Sequence, residues 1–102
     1  LVSMESEGSV PLVFSLRQNF PNPFNPRTRI RAEWPQVSDV TLAVFDLLGR
    51  KVATLADGRF PGGRFEFAFD ASRLASGVYL YRLETKAESG VRVGVKKMVL
   101  LK

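Results

Sequence analysis

The chain has 102 residues, 45% hydrophobic and 25% charged, with neither cysteine nor histidine. Those two absences exclude disulfides, Cys/His zinc sites, Ser-His-Asp and Cys-His triads and histidine pH switches, leaving carboxylates, Lys, Tyr and Ser as the available chemistry. A net charge of +5 and a pI near 10.1 suit anionic contacts, yet the basic residues are dispersed, which reads as solvated strand faces and no nucleic-acid partner.

Residues 1–11 (LVSMESEGSVP) are polar, end at Pro11 and read as a linker from a larger upstream protein, with residue 1 as a cut end. Residues 12–102 are expected to form one domain, burying roughly two-thirds of its unfolded surface. No run of about 18 apolar residues is present, so no transmembrane segment is expected.

A short strand at residues 12–16 is followed by N-F-P-N-P-F-N-P at 19–26. Pro21, Pro23 and Pro26 cannot donate to a sheet ladder, so this is an extended, kinked crossover, with Phe20 and Phe24 as plugs for one end of the fold. Residues 28–34 alternate, with Ile30, Ala32 and Trp34 inward and Arg29, Arg31 and Glu33 outward. In residues 40–45, Val40, Leu42 and Val44 share a face. A short strand follows at 51–55, and residues 64–69 set Phe65, Phe67 and Phe69 inward. Residues 78–84 are apolar on both faces, as a central strand is. In residues 91–101 the pattern shifts from Val91, Val93 and Val95 to Met98 and Leu100, which predicts a β-bulge between Gly94 and Lys97.

Turns are expected at Asp46 to Gly49, Asp57-Gly58, Pro61 to Gly63, Ala75 to Gly77 and Glu88 to Gly90. Seven short strands punctuated in this way predict an antiparallel β-sandwich.

Little here carries chemistry. Asp46 and Asp70 stand where turn-forming aspartates stand, and no calcium loop, GxGxxG, phosphate loop or nucleophile elbow occurs, so neither an enzyme nor a cofactor is expected. Tyr79 and Tyr81 with Trp34 form a candidate aromatic platform for a sugar, weighed against burial with bonded hydroxyls. Residues 96–102 (KKMVLLK) carry three lysines and no acid, either as protection of a sheet edge or as an accessible basic tag.

Four pieces in order carry a family resemblance: N-F-P-N-P-F-N-P at 19–26, V-F-D-L-L-G-R-K-V at 44–52, F-D-A-S-R-L-A-S-G-V-Y-L-Y-R-L at 69–83 and K-K-M-V-L-L-K at 96–102. Together they resemble the type A C-terminal sorting domain of type IX secretion cargo proteins. The resemblance implies a seven-stranded immunoglobulin-like sandwich at the end of a larger exported cargo. It implies two partners, the outer-membrane translocon and a gingipain-like, sortase-like cysteine peptidase that removes the domain. Periplasmic transit and delivery to the cell surface or beyond follow from it as well.

By position, the residues matching the family's motifs are Pro21, Asn22, Pro23, Phe24, Pro26, Gly49, Gly77 and Tyr79, all with structural explanations, and a terminal segment. From that segment, Lys96, Lys97, Val99, Leu100 and Lys102 are the expected recognition residues. Two other readings stand beside this one. The flagellar hook-capping protein shares the N-P-F-N-P and A-S-G-V-Y-x-Y segments, though its type has a longer insertion before A-S-G. A carbohydrate-binding or adhesion module rests on the aromatics alone.

Overall fold

The computed structural model describes residues 12–102; the linker expected at residues 1–11 lies outside them. Seven strands run in order: β1 (Ser15–Leu16), β2 (Arg27–Trp34), β3 (Ser38–Phe45), β4 (Lys51–Phe60), β5 (Gly63–Asp70), β6 (Gly77–Ala87) and β7 (Gly90–Leu100). They form two antiparallel sheets, β1-β2-β5 and β4-β3-β6-β7, which face each other as an immunoglobulin-like sandwich.

The alternation in β2 does what its pattern requires. Ile30, Ala32 and Trp34 are buried while Arg27, Arg29 and Arg31 are exposed. Trp34 stacks on Phe65 at 4.6 Å and 14°, meets Phe60 edge-on, and donates its indole N–H to the Pro61 carbonyl at 3.0 Å. β3 and β6 are the inner strands of the four-stranded sheet, as the two apolar faces of β6 require. Phe65, Phe67 and Phe69 all point inward, but only Phe69 is fully buried, because β5 is an edge strand.

Four expectations are corrected. Asp57-Gly58 is not a turn: both residues pair with β3, at Thr41 and Val40, and the chain reverses beyond them at Pro61-Gly62. An ideal Cβ on Gly62 would stand 2.5 Å from the Pro35 carbonyl oxygen, so the close approach of backbones there requires glycine. β4 is therefore ten residues long instead of five, and its register against β3 shifts after Leu42 and again after Val44. Leu55 and Val52 are the extra residues, and two bulges scramble the period that would have marked a longer strand.

The predicted bulge in β7 is absent. Pairing with β6 runs unbroken from Gly77 opposite Leu100 to Ala87 opposite Gly90. Gly94, Lys96, Met98 and Leu100 thus share the inward face, while Val91, Val93 and Val95 point outward at 56%, 47% and 53% exposure. Gly94 lacks a side chain because Phe14 and Leu16 occupy the space, 3.3 Å from where its Cβ would be. Core filling that β7 omits is supplied by the β1 segment, and the apparent slip in pattern is that substitution.

Phe20 plugs nothing. It is 79% exposed, whereas Phe24 is 2% exposed and packs 6.2 Å from the Phe69 ring. The aromatic platform is likewise absent, because Trp34, Tyr79 and Tyr81 are all buried.

Candidate functional site: the clasp on the C-terminal strand

The proline-rich segment and the last strand, the two least ordinary stretches of sequence, lie side by side. An edge strand exposes a row of unpaired amides and carbonyls that must be covered. Along the end of β7 the cover comes from residues 18–24. Gln18 Nε2 donates to the Lys97 carbonyl at 2.6 Å, and Asn22 Oδ1 accepts from the Val99 amide at 2.9 Å. The Phe24 amide then donates to the Val99 carbonyl at 2.9 Å, and its carbonyl accepts from the Leu101 amide at 3.0 Å, as a single parallel bridge. Prolines at 21, 23 and 26 have no amide to offer, so a side chain and the one phenylalanine between them do the pairing.

The clasp is anchored beneath. Tyr81 on β6 donates its hydroxyl proton to the Arg17 carbonyl at 2.7 Å and accepts from the Asn19 amide at 2.8 Å. Burial pushes the Tyr81 hydroxyl up to about 12, so it stays protonated as a donor, in spite of the opposing bond from Asn19. Asn19 donates from Nδ2 to Thr28 Oγ1 at 3.0 Å and to the Pro21 carbonyl at 3.1 Å, and the Thr28 hydroxyl donates to that same carbonyl at 2.8 Å. The Ala71 amide closes the far end by donating to the Pro26 carbonyl at 2.8 Å. Asn22, Phe24 and the three prolines are thus parts of an edge seal.

The terminal segment is folded into the domain along its whole length. Met98 and Leu100 are fully buried core residues, and the Lys102 amide and ammonium donate to Ser76 Oγ at 2.9 Å and the Ser72 carbonyl at 2.5 Å. Lys97 is exposed, Lys96 and Val99 are half-buried, and Leu100 is inaccessible. Among the described residues no carboxylate stands within 4.0 Å of Lys96, Lys97 or Lys102. The three cations therefore lie, uncompensated by those residues, on a fixed strand end.

The remaining motif residues support turns. Asp46 Oδ1 accepts from the Leu48 and Arg50 amides at 2.9 and 3.0 Å and Oδ2 from the Arg50 guanidinium at 2.8 Å, while Gly49 holds φ at 84°. The Arg50 amide foremost holds the Asp46 carboxyl below its ordinary range. Asp70 is lowered chiefly by the Ser72 hydroxyl and amide. Tyr79 donates to the Ala75 carbonyl at 2.6 Å, and Gly77 pairs with Leu100 at the start of β6. Gln18 stands outside the quoted motifs, and Asn19, Ser72 and Ser76 stand inside them with no local sign of the long-range partners they bond.

Two sheets sealed at the last strand by a proline-rich crossover define an immunoglobulin-like domain whose C-terminus is part of its core. Residues 18–100 match the family described as a secretion system C-terminal sorting domain, and the chain belongs to that family. It is a C-terminal sorting signal for type IX secretion.

Among solved structures, dimeric latent PorU from Porphyromonas gingivalis is similar, at a TM-score of 0.68 and 23% identity over 90% of this chain. The chain spans 10% of that PorU chain. CopC from Methylosinus trichosporium OB3b is similar at a TM-score of 0.57 and 17% identity, over 86% of this chain and 93% of that one. At these identities the likeness is one of fold. Comparison with curated proteins gives no match.

Proposed function

We propose that the folded domain, not a flexible tail, is the address read by the outer-membrane translocon. The address surface is the end of β7 with Lys96, Lys97, Val99 and Lys102, presented by the clasp. In this reading an upstream cargo in the same chain is carried across the periplasm to the cell surface. A sortase-like cysteine peptidase of the type IX machinery then removes the domain within or upstream of residues 1–11. The observation that carries it is that Lys96, Lys97 and Lys102, with no carboxylate within 4.0 Å among the described residues, stand on a strand end whose neighbours Met98 and Leu100 are core and whose last residue is held by Ser72 and Ser76.

That burial decides the experiment. Deleting residues 96–102 removes Met98 and Leu100, each costing about 2–5 kcal/mol when truncated, against a total stability of about 5–15 kcal/mol. Such a deletion unfolds the domain whatever the lysines do. The informative variant is Lys96→Glu/Lys97→Glu/Lys102→Glu in a reporter fused to this chain, expressed in a host with the type IX system. Surface labelling should fall while the purified domain keeps its near-ultraviolet circular dichroism. Undiminished surface labelling would sink the lysine assignment and leave the family's sorting role intact.

A further inference from the structure

The outer face of the β1-β2-β5 sheet is a ladder of charged rows with one rung missing. Arg27 pairs with Asp70 at 3.3 Å, Arg31 with Glu66 at 3.1 Å and Glu33 with Arg64 at 3.3 Å. The register sets Arg29 opposite Ala68, and among the described residues no carboxylate lies within 4.0 Å of it. On its other side stands Phe20. The two residues exchange both main-chain hydrogen bonds, at 2.9 and 3.0 Å, as an antiparallel pair. Directly opposed residues of such a pair project to the same face, so the exposed phenyl ring stands beside the unpaired guanidinium. A groove of about 680 Å³ runs over this row, walled by Arg17, Arg27 and Arg31.

Neither side chain serves the core: the Phe20 ring is exposed, and among the described residues no carboxylate compensates the Arg29 charge. The small Ala68 leaves the guanidinium open from above. We infer that this row is a docking groove for an extended acidic segment of a protein partner. One partner carboxylate pairs with Arg29, and an apolar neighbour covers Phe20 and Ala68. Alternate residues of β2 are spaced about 6.6–6.8 Å apart, which matches alternate side chains of an extended peptide. Glu66 and Asp70 on the same face oppose a continuous polyanion and favour separate carboxylates, for which the planar guanidinium offers paired donors. The inference does not depend on the role given to the terminal lysines.

The test uses the 102-residue chain and a labelled heptapeptide alternating valine and glutamate, at low salt, with phosphatidylglycerol vesicles as a second arm. Saturable peptide binding is expected, weakened about tenfold by Arg29→Gln and several-fold by Phe20→Ser. Arg92→Gln on β7 removes the same charge elsewhere and should leave it unchanged. Every substituted position is exposed, and near-ultraviolet circular dichroism checks that each variant is folded. Absence of peptide binding, equal loss in Arg29→Gln and Arg92→Gln, or binding to vesicles alone would each overturn the inference.

Discussion

Phe24 brackets Leu100: its amide and carbonyl hold the main chain on either side of that residue, at 2.9 and 3.0 Å, while both side chains are buried. The crossover and the C-terminus are therefore one cooperative unit, and two chemically identical residues four positions apart have unlike roles. Phe24→Ala should destabilise the domain by about 3–5 kcal/mol through lost burial and a cavity. Phe20→Ala, at an exposed ring, should stay within about 0.5 kcal/mol. Urea unfolding of the two variants checks the contrast, and equal effects would contradict the placement of Phe20.

Tyr81 supplies a second test, because its hydroxyl serves two main-chain groups at once, the buried Asn19 amide and the half-buried Arg17 carbonyl. Tyr81→Phe keeps the ring and orphans the Asn19 amide and the Arg17 carbonyl, so a loss of about 1–3 kcal/mol is expected. There is a pH signature as well. A folded-state value raised from 10.0 to about 12 favours the neutral hydroxyl in the native state, so this contribution is complete below pH 10.0 and is lost as the pH rises through about 12. Wild-type protein should lose stability across that alkaline window. In Tyr81→Phe the loss should be shallower, measured by melting temperature against pH.

These residues also show where sequence reading succeeds and where it stops. β2 was legible because one face is buried and strict alternation records that fact, and β6 because apolar residues on both faces mark an inner strand. β4 was legible in part, since two extra residues, Val52 and Leu55, break the period of two. β7 misled for a different reason: an inward position held by Gly94 is filled by Leu16 of β1 and by Phe14 just before it, so the local pattern omits what tertiary packing supplies. The lysines and prolines of the clasp were visible as residues, but their juxtaposition depends on long-range pairing that no local period encodes.

The acid limb should be governed by the turn aspartates. Both Asp46 and Asp70 are held below the ordinary 3.8, by Arg50 and Ser72 respectively, so the unfolded chain takes up protons first as the pH falls. Their contribution is present above pH 3.8 and is lost as the pH drops through the lower folded-state values. Melting temperature should therefore decline below pH 3.8, and the Asp46→Asn/Asp70→Asn double variant should decline less steeply there. A double variant with the wild-type slope would show that other carboxylates dominate.

Gly58 and Gly62, four positions apart, should respond to alanine in opposite ways. At Gly62 a Cβ would meet the Pro35 carbonyl oxygen at 2.5 Å, and because both partners are backbone, relief requires moving the crossover between the sheets. Gly62→Ala should destabilise by about 1–3 kcal/mol. At Gly58 nothing lies within 4 Å of the same atom and the residue is paired with Val40 inside β4. Gly58→Ala should therefore be neutral or stabilise by up to about 1 kcal/mol, by restricting the unfolded chain. Were residue 58 instead in a left-handed turn, alanine there would be strained and destabilising, so chemical denaturation of this one variant distinguishes a continuous β4 from a strand ending at Leu55.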